Sequence, residues 1–476
     1  MESMTQGGKA AENGGGEPEG VASGPEPRLA AAHGPALAAA DKRHLWHPFT
    51  PMRDWCVDGH EPVVLVRGEG AWLWDQQGRR YLDGNASIWT NIHGHNHPRI
   101  NAAIEAQLRL VSHVSFLGTS NEPAIRLAQR LVALFPPDTL TRVFYSDDGS
   151  TAIEAAVRMA LQYCQQTGAE SRQRLLVFER GYHGDTLGAA SLGGIGAFRG
   201  PAARFGFAVE RVGGMDQVRS LPDQVVGELA AAVIEPLVQG PAGMRPWPAG
   251  MLRELSDWCR DHGVLLILDE VMTGFGRTGR MFACEHEGVV PDFIALAKGL
   301  TGGYMPLAAT LTTETVFEAF LGDVAEMKTF YYGHSYCGNA LGCAAALANL
   351  EVFEEERTLE WLPAKIDRMS ERLRRLEDHP RVAEVRQCGM IAAVEICRRR
   401  RPREPWPWEQ QMGARVCLAA RRHGLLTRAI GNDIVLLPPL CVSEGEIDHM
   451  FKALERAMDE VLADTCPAQP QALSRC

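Results

Sequence analysis

Val264-Leu-Leu-Ile-Leu-Asp-Glu-Val-Met-Thr-Gly-Phe-Gly-Arg-Thr-Gly279, continued by Pro291-Asp-Phe-Ile-Ala-Leu-Ala-Lys-Gly-Leu-Thr-Gly-Gly303, is the stretch on which the fold turns. It holds two short apolar runs, each ending on a charge. Val264 to Leu268 is continuous in apolar residues, as strands of a parallel sheet are, and Asp269 stands at its exit. Phe293 to Ala297 repeats the pattern with Lys298 at its exit, 29 residues beyond Asp269. The carboxyl ends of neighbouring parallel strands converge on one crevice, where open α/β sheets bind ligands. A carboxylate and an amine delivered there, with glycines on either side, suit a pyridoxal phosphate site. The lysine would form a Schiff base, and the aspartate would keep the pyridine nitrogen protonated so that the ring acts as an electron sink. A buried ion pair capping two strands fits the same two residues equally well, so the rest of the chain has to decide.

Outward from this stretch, helical and strand patterns alternate. Helix Pro123–Leu134, strand Thr141–Ser146, helix Thr151–Gln166, strand Arg174–Glu179, strand Ala231–Glu235 and helix Gly250–His262 precede it, and a helix at Gly338–Glu355 follows. Such alternation predicts an α/β fold, a largely parallel sheet flanked by helices. Beyond residue 355 helices alternate with short strands in a different style, which predicts a smaller α+β domain. The expected division is a disordered tail at 1–40, a first part of the small domain at 41–87, a large domain at 88–355, the rest of the small domain at 356–464 and a loose tail at 465–476. Residues 1–40 carry Gly, Ala, Pro and Glu with almost no large apolar side chain, too little to offset chain entropy.

The totals narrow the function classes. The 476 residues suffice for two or three domains. A net charge of −11 gives no electrostatic reason to bind nucleic acid. No apolar run approaches a membrane span, and no signal peptide opens the chain. The 12 cysteines are scattered without a CxxC, which suggests neither a zinc ribbon nor a disulfide framework, and the cytoplasm is the expected compartment. His93, His95 and His97 alternate like a metal motif, but Asn96-His-Pro98 is turn chemistry ahead of a helix, and no metal is expected.

Three strand exits add chemistry. In Asp147-Asp-Gly-Ser-Thr-Ala-Ile-Glu154, Thr151 and Glu154 fit a capping box, and Gly149 and Ser150 offer free N–H groups at a helix start where a phosphate would bind. Any N-cap shares that look. Gly181-Tyr-His-Gly-Asp-Thr186 places Tyr182 where it would stack on a flat ring and Asp185 where it would orient neighbours, or it is an ordinary loop. Glu235 arrives at the crevice as a partner for Arg277 or for a substrate cation, or as a structural group.

Taken together, these segments resemble the class III aminotransferases, pyridoxal-phosphate enzymes of fold type I, over roughly residues 42 to 462. The resemblance implies a large domain with a mostly parallel seven-stranded sheet and a smaller α+β domain from both chain ends. It also implies that Lys298 is the Schiff-base lysine, Asp269 the pyridinium partner, and Gly149 and Ser150 the phosphate cup, with Tyr182 beside the cofactor. In that family the site is shared across a homodimer, so Tyr332-Gly-His-Ser-Tyr-Cys-Gly-Asn339 would lend His334 and Ser335 to the other chain's phosphate.

Within the class, His44-Leu-Trp-His-Pro-Phe-Thr50, Trp89 before Ile92-His-Gly94, the Tyr182 motif and Phe282-Ala-Cys-Glu-His286 are most similar to biotin-pathway transaminases, which aminate 8-amino-7-oxononanoate. That likeness implies Arg428 as the grip on the substrate carboxylate, and Phe49, Ile88, Trp89, Tyr182, Asp185 and Gly333 around the substrate. Members that use S-adenosylmethionine carry Tyr and Trp where this chain has Phe49 and Ile88, and Pro-Thr where it has His334-Ser335. The pattern is closer to the subgroup that takes L-lysine as donor. Pro241-Ala242 and Leu436-Leu437 depart from the glutamate-gripping relatives.

Overall fold

The computed structural model describes residues 34–200 and 204–463. They fall into two compact units, divided between Val66 and Arg67. In the first, the loose tail expected through residue 40 ends sooner: a helix spans Gly34–His44, favoured by the helix-forming run Ala38-Ala-Ala40. Asp41 at its end accepts hydrogen bonds from His47 Nε2 at 3.0 Å and Trp55 Nε1 at 2.7 Å. The tails at 1–33 and 464–476 lie outside the described residues.

The second unit is built on a seven-stranded sheet. In chain order its strands are β1 (Arg142–Ser146), β2 (Arg174–Phe178), β3 (Val209–Val212), β4 (Leu229–Ile234), β5 (Leu265–Asp269), β6 (Phe293–Leu296) and β7 (Ala308–Thr312). Their spatial order is β1-β7-β6-β5-β4-β2-β3. β5 pairs in parallel with β6, Asp269 opposite Ala295, and with β4 on its other side. β7 alone runs the other way, antiparallel to both β6 and β1. The central strands β4, β5 and β6 are apolar almost throughout and buried, as expected of strands covered on both faces. Neither β3 nor β7 stands out in the sequence. Each is short, and Ala308-Ala-Thr-Leu-Thr312 has weak strand character.

The helix after β1 begins at Gly149 rather than Thr151. Its cap is Asp148, whose carboxylate accepts from Thr151 N at 3.0 Å while the Thr151 hydroxyl accepts from Asp148 N at 3.1 Å. Thr151 is therefore the far member of the capping box, and Glu154 is freed for another role: its Oε1 accepts from the Thr186 hydroxyl and from Ala189 N. Helix Thr358–Leu376 carries Pro363 inside it.

Both ends of this unit meet in one small sheet, where Arg80–Asp83 pairs in parallel with Leu425–Leu426. A second sheet orders Val382–Cys388, Ile391–Arg399, Asp433–Leu436 and Arg428–Ile430, all antiparallel. Among the described residues no helix is long and apolar enough to cross a membrane.

Candidate active site

The exits of the parallel strands open into a cavity of about 430 Å3. Asp147 to Ser150 reach it from β1, Tyr182 to Gly184 from β2, Glu235 from β4, Asp269 from β5 and Lys298 from β6. Trp89 and the apolar run Met305 to Leu307 complete the wall. The five strand-exit positions picked from sequence as cofactor-binding, Gly149, Ser150, Tyr182, Asp269 and Lys298, are thus brought together by the topology.

Lys298 is the first residue of a short 3-10 turn, with φ of 46°. Its Nζ lies 4.7 Å from the centroid of the Trp89 ring. Burial lowers its pKa to about 8, opposed by the carboxylates of Asp269 and Glu235, so neutral amine is accessible near physiological pH. The residue is half-buried and lines the cavity.

Asp269 is buried, and its Oδ2 lies 2.8 Å from His183 Nδ1 while Oδ1 accepts from Val271 N at 3.2 Å. Burial works against a charged His183, but the hydrogen bond and charge of Asp269 more than offset it and raise the imidazole's pKa. Sequence reasoning missed His183. Its only signal is its place between Tyr182 and Gly184 in a strand-exit loop, and no periodicity marks it.

Glu235 does not pair with Arg277. Its carboxylate accepts from Tyr182 N at 3.0 Å and Gly240 N at 2.9 Å, which ties two site loops together, and burial pushes its pKa up to about 7. Arg277 is fully buried and donates to the carbonyls of Pro438 and Asn91, each at 2.6 Å. Tyr182 packs edge-on against Phe198, and its hydroxyl donates to Asp185 at 2.7 Å. Asp185 N donates to Ser150 Oγ at 3.1 Å, so Asp185 braces the loop from outside the cavity. Gly184, with φ of 122°, passes so close to Ser150 that a Cβ there would sit 2.2 Å from Ser150 Oγ. Only glycine permits that approach.

The remaining predicted positions of this unit are not among the residues that line the cavity. Ile88 points outward, half-exposed, and Gly333 has open space beside it. His334 Nδ1 stands 3.1 Å from Asp147 Oδ2, and the Ser335 carbonyl lies 2.7 Å from His113 Nε2. Arg428 is partly buried at the start of its strand; burial lowers its pKa, and the groups acting on it, Cys417 and Tyr182, include no carboxylate. Phe49 belongs to the first compact unit. The three alternating histidines part company: His93 meets the Asn349 carbonyl, His95 meets Asp83 and His97 meets Glu356.

These groups fit one flat, phosphate-bearing ring. The helix at Gly149–Gln166 offers unpaired N–H groups and its positive end. Asp269, buried and backed by a histidine, suits a protonated ring nitrogen. Lys298 lines the same cavity as an amine of lowered basicity. Such a crevice in such a sheet defines a pyridoxal-phosphate enzyme of fold type I.

Comparison with known proteins narrows the class. The aminotransferase class-III family model matches residues 57–458. A curated relative from Geobacter sulfurreducens, adenosylmethionine-8-amino-7-oxononanoate aminotransferase, is 48% identical over 88% of this chain and 97% of its own. The solved structure of the Methanocaldococcus jannaschii protein of that name superposes with a TM-score of 0.87 at 40% identity, over 90% of this chain and 99% of that one. An amine transaminase from an uncultivated Pseudomonas species, solved in its PLP-bound form, gives 0.81 at 33% identity, over 88% and 99%. The chain belongs to the class III aminotransferases and is a pyridoxal-phosphate-dependent transaminase.

Proposed function

We propose that this transaminase aminates the 7-oxo group of 8-amino-7-oxononanoate to give 7,8-diaminononanoate, a step of biotin biosynthesis, with L-lysine as the amino donor. The observation that carries the acceptor is the near-full-length identity to relatives bearing that activity in their name. The donor rests on Phe49, Ile88, His334 and Ser335, the departures from the S-adenosylmethionine-using pattern.

Bound pyridoxal phosphate supplies an electron sink that lets a proton leave the carbon bearing the amine. The residues supply the rest. Gly149 and Ser150 would hold the phosphate, Asp269 with His183 behind it would keep the ring nitrogen protonated, and Tyr182 would flank the ring. Nζ of Lys298 takes the proton from the substrate carbon as general base and returns it as acid. Trp89, with Met305 to Leu307, keeps water from that exchange. Arg428, with no acidic partner among the described residues, grips the substrate carboxylate through its planar fork. Phe49, Ile88, Asp185 and Gly333 shape the approach. Residues 88–355 act as the cofactor-binding domain, and 41–87 with 356–464 as the domain that carries Arg428.

The working form in this reading is a cytoplasmic homodimer in which His334 and Ser335 serve the other chain's phosphate. Ten free thiols among the described residues suit a reducing compartment. Leu110, Leu117 and Val324 are 79%, 93% and 87% exposed, and large apolar side chains left in water suit a surface that a second copy covers.

The test is a donor screen with 8-amino-7-oxononanoate as acceptor. Diaminononanoate formed with L-lysine supports the whole reading. Product formed with S-adenosylmethionine alone removes the lysine assignment and leaves the acceptor. A second reading, a broader ω-amine transaminase, is favoured by the neighbouring amine transaminase structures. It wins if simple ketones are aminated and 8-amino-7-oxononanoate is not.

A further inference from the structure

Ala86, Ser87, Ile88 and Trp89 have φ of 44°, 48°, 66° and 73°. Together they make a left-handed turn in a run with no glycine. L-residues visit that region singly, and β-branched ones least of all, so the local sequence does not ask for this shape. The turn has backbone bonds of its own, Trp89 N to the Asn85 carbonyl at 2.8 Å and Thr90 N to the Ala86 carbonyl at 2.9 Å, and a further hold comes from outside it. Asp83, 3% exposed at the end of strand Arg80–Asp83, accepts from Asn85 N at 3.3 Å and Ser87 N at 3.1 Å through Oδ1. Its Oδ2 accepts from the Ser87 hydroxyl at 2.8 Å and lies 3.0 Å from His95 Nε2. At the far end of the turn, Trp89 Nε1 donates to Asn85 Oδ1 at 3.0 Å. The outcome is the seat of the Trp89 ring, buried in the cavity wall with the Lys298 amine 4.7 Å from its centroid.

We propose that Asp83 is a positioning residue for the reactive amine: by holding the left-handed turn it seats the Trp89 ring against Lys298 Nζ. An aromatic ring favours ammonium over amine, so the seat restores part of the basicity that burial removes. The idea rests on Lys298 being the reactive lysine and not on which substrate is turned over.

The test reads that amine directly. The full-length, cofactor-free chain is trace-labelled with acetic anhydride across pH, and acetylation of the Lys298 peptide is followed by mass spectrometry. Asp83→Ala, which removes both acceptor oxygens, is expected to lower the labelling midpoint by about one pH unit. Trp89→Leu should lower it equally, with no further drop when the two are combined. Asp83→Ala/Ser87→Gly should move the midpoint back toward the wild-type value, because glycine adopts positive φ without a clamp. A folded Asp83→Ala chain with an unchanged midpoint overturns the proposal, and so does a double variant as low as Asp83→Ala. If Asp83→Ala alone does not fold, the double variant must fold with a midpoint above that of Trp89→Leu, or the proposal falls. The labelling result stands apart from turnover, so a wrong acceptor or donor assignment would show in the screen and leave this measurement intact.

Discussion

Lys298 can capture an aldehyde only as a neutral amine, and burial brings its pKa down to about 8. The neutral fraction grows as pH rises through that value. Uptake of pyridoxal phosphate by the cofactor-free chain should therefore quicken with pH and level off above about 8, as stopped-flow absorbance would record. Lys298→Ala should still bind the cofactor, lack the visible band of the lysine-linked form, and lose at least about 100-fold in turnover. His183→Phe removes a donor from a buried carboxylate. It should weaken cofactor binding by about tenfold or more, measured by equilibrium titration of the cofactor-free protein. Lys298 and Asp269 were legible as strand-exit positions because each is the first charge to end an apolar run. His183 was not, since a histidine inside a glycine-bounded loop carries no pattern. The left-handed turn was hidden too, because Ala-Ser-Ile-Trp contains none of the residues that announce positive φ.

Elements were legible where period and length agreed. The parallel strands β4, β5 and β6 are apolar runs with charges after them, and their neighbouring helices are long enough to show an amphipathic face. Ends were harder to read. Helix Gly149–Gln166 opens two residues ahead of the expected Thr151 because Asp148 is its cap, and helix Thr358–Leu376 runs through Pro363, a residue that normally opens a helix rather than interrupts one. That second helix is joined to Glu444–Leu462 by a charged fork. Asp448 accepts from Arg368 Nε at 2.8 Å and Nη2 at 2.6 Å, and from Arg372 Nε at 2.7 Å. Arg372 and Arg368 hold its carboxyl far below the usual range. A depressed carboxylate stabilises the fold above its unfolded pKa, and that contribution is lost as pH falls through the folded value. Asp448→Asn should lower Tm by about 1–3 °C at neutral pH, with the gap from wild type closing in strong acid, as calorimetry across pH would show.

For the whole molecule, the homodimer reading makes its own demand. If His334 serves the other chain's site, Lys298→Ala and His334→Ala chains fail in complementary ways. Co-expressed, their mixed dimer would contain one site with both residues intact and one with neither. Activity above either variant alone is expected, and Leu117→Asp should abolish that recovery by splitting the dimer into monomers, read by sedimentation. Equal activity in the mixture and the His334→Ala protein would confine His334 to its own chain. The sequence could signal this shared arrangement only by resemblance, because the loop carrying His334 has no pattern that says which copy it serves.

Because β7 runs against its neighbours, it begins where they finish. The parallel strands hand the crevice their charged exits, while β7 hands it an uncharged entrance, Met305, Pro306 and Leu307. In the proposed reading, proton traffic and aliphatic fit thus fall to different parts of the chain. The greasy lip of Met305, Pro306 and Leu307 would then be the natural place to retune this scaffold for a longer or shorter carbon chain, with the acid, the amine and the phosphate anchor left as they are.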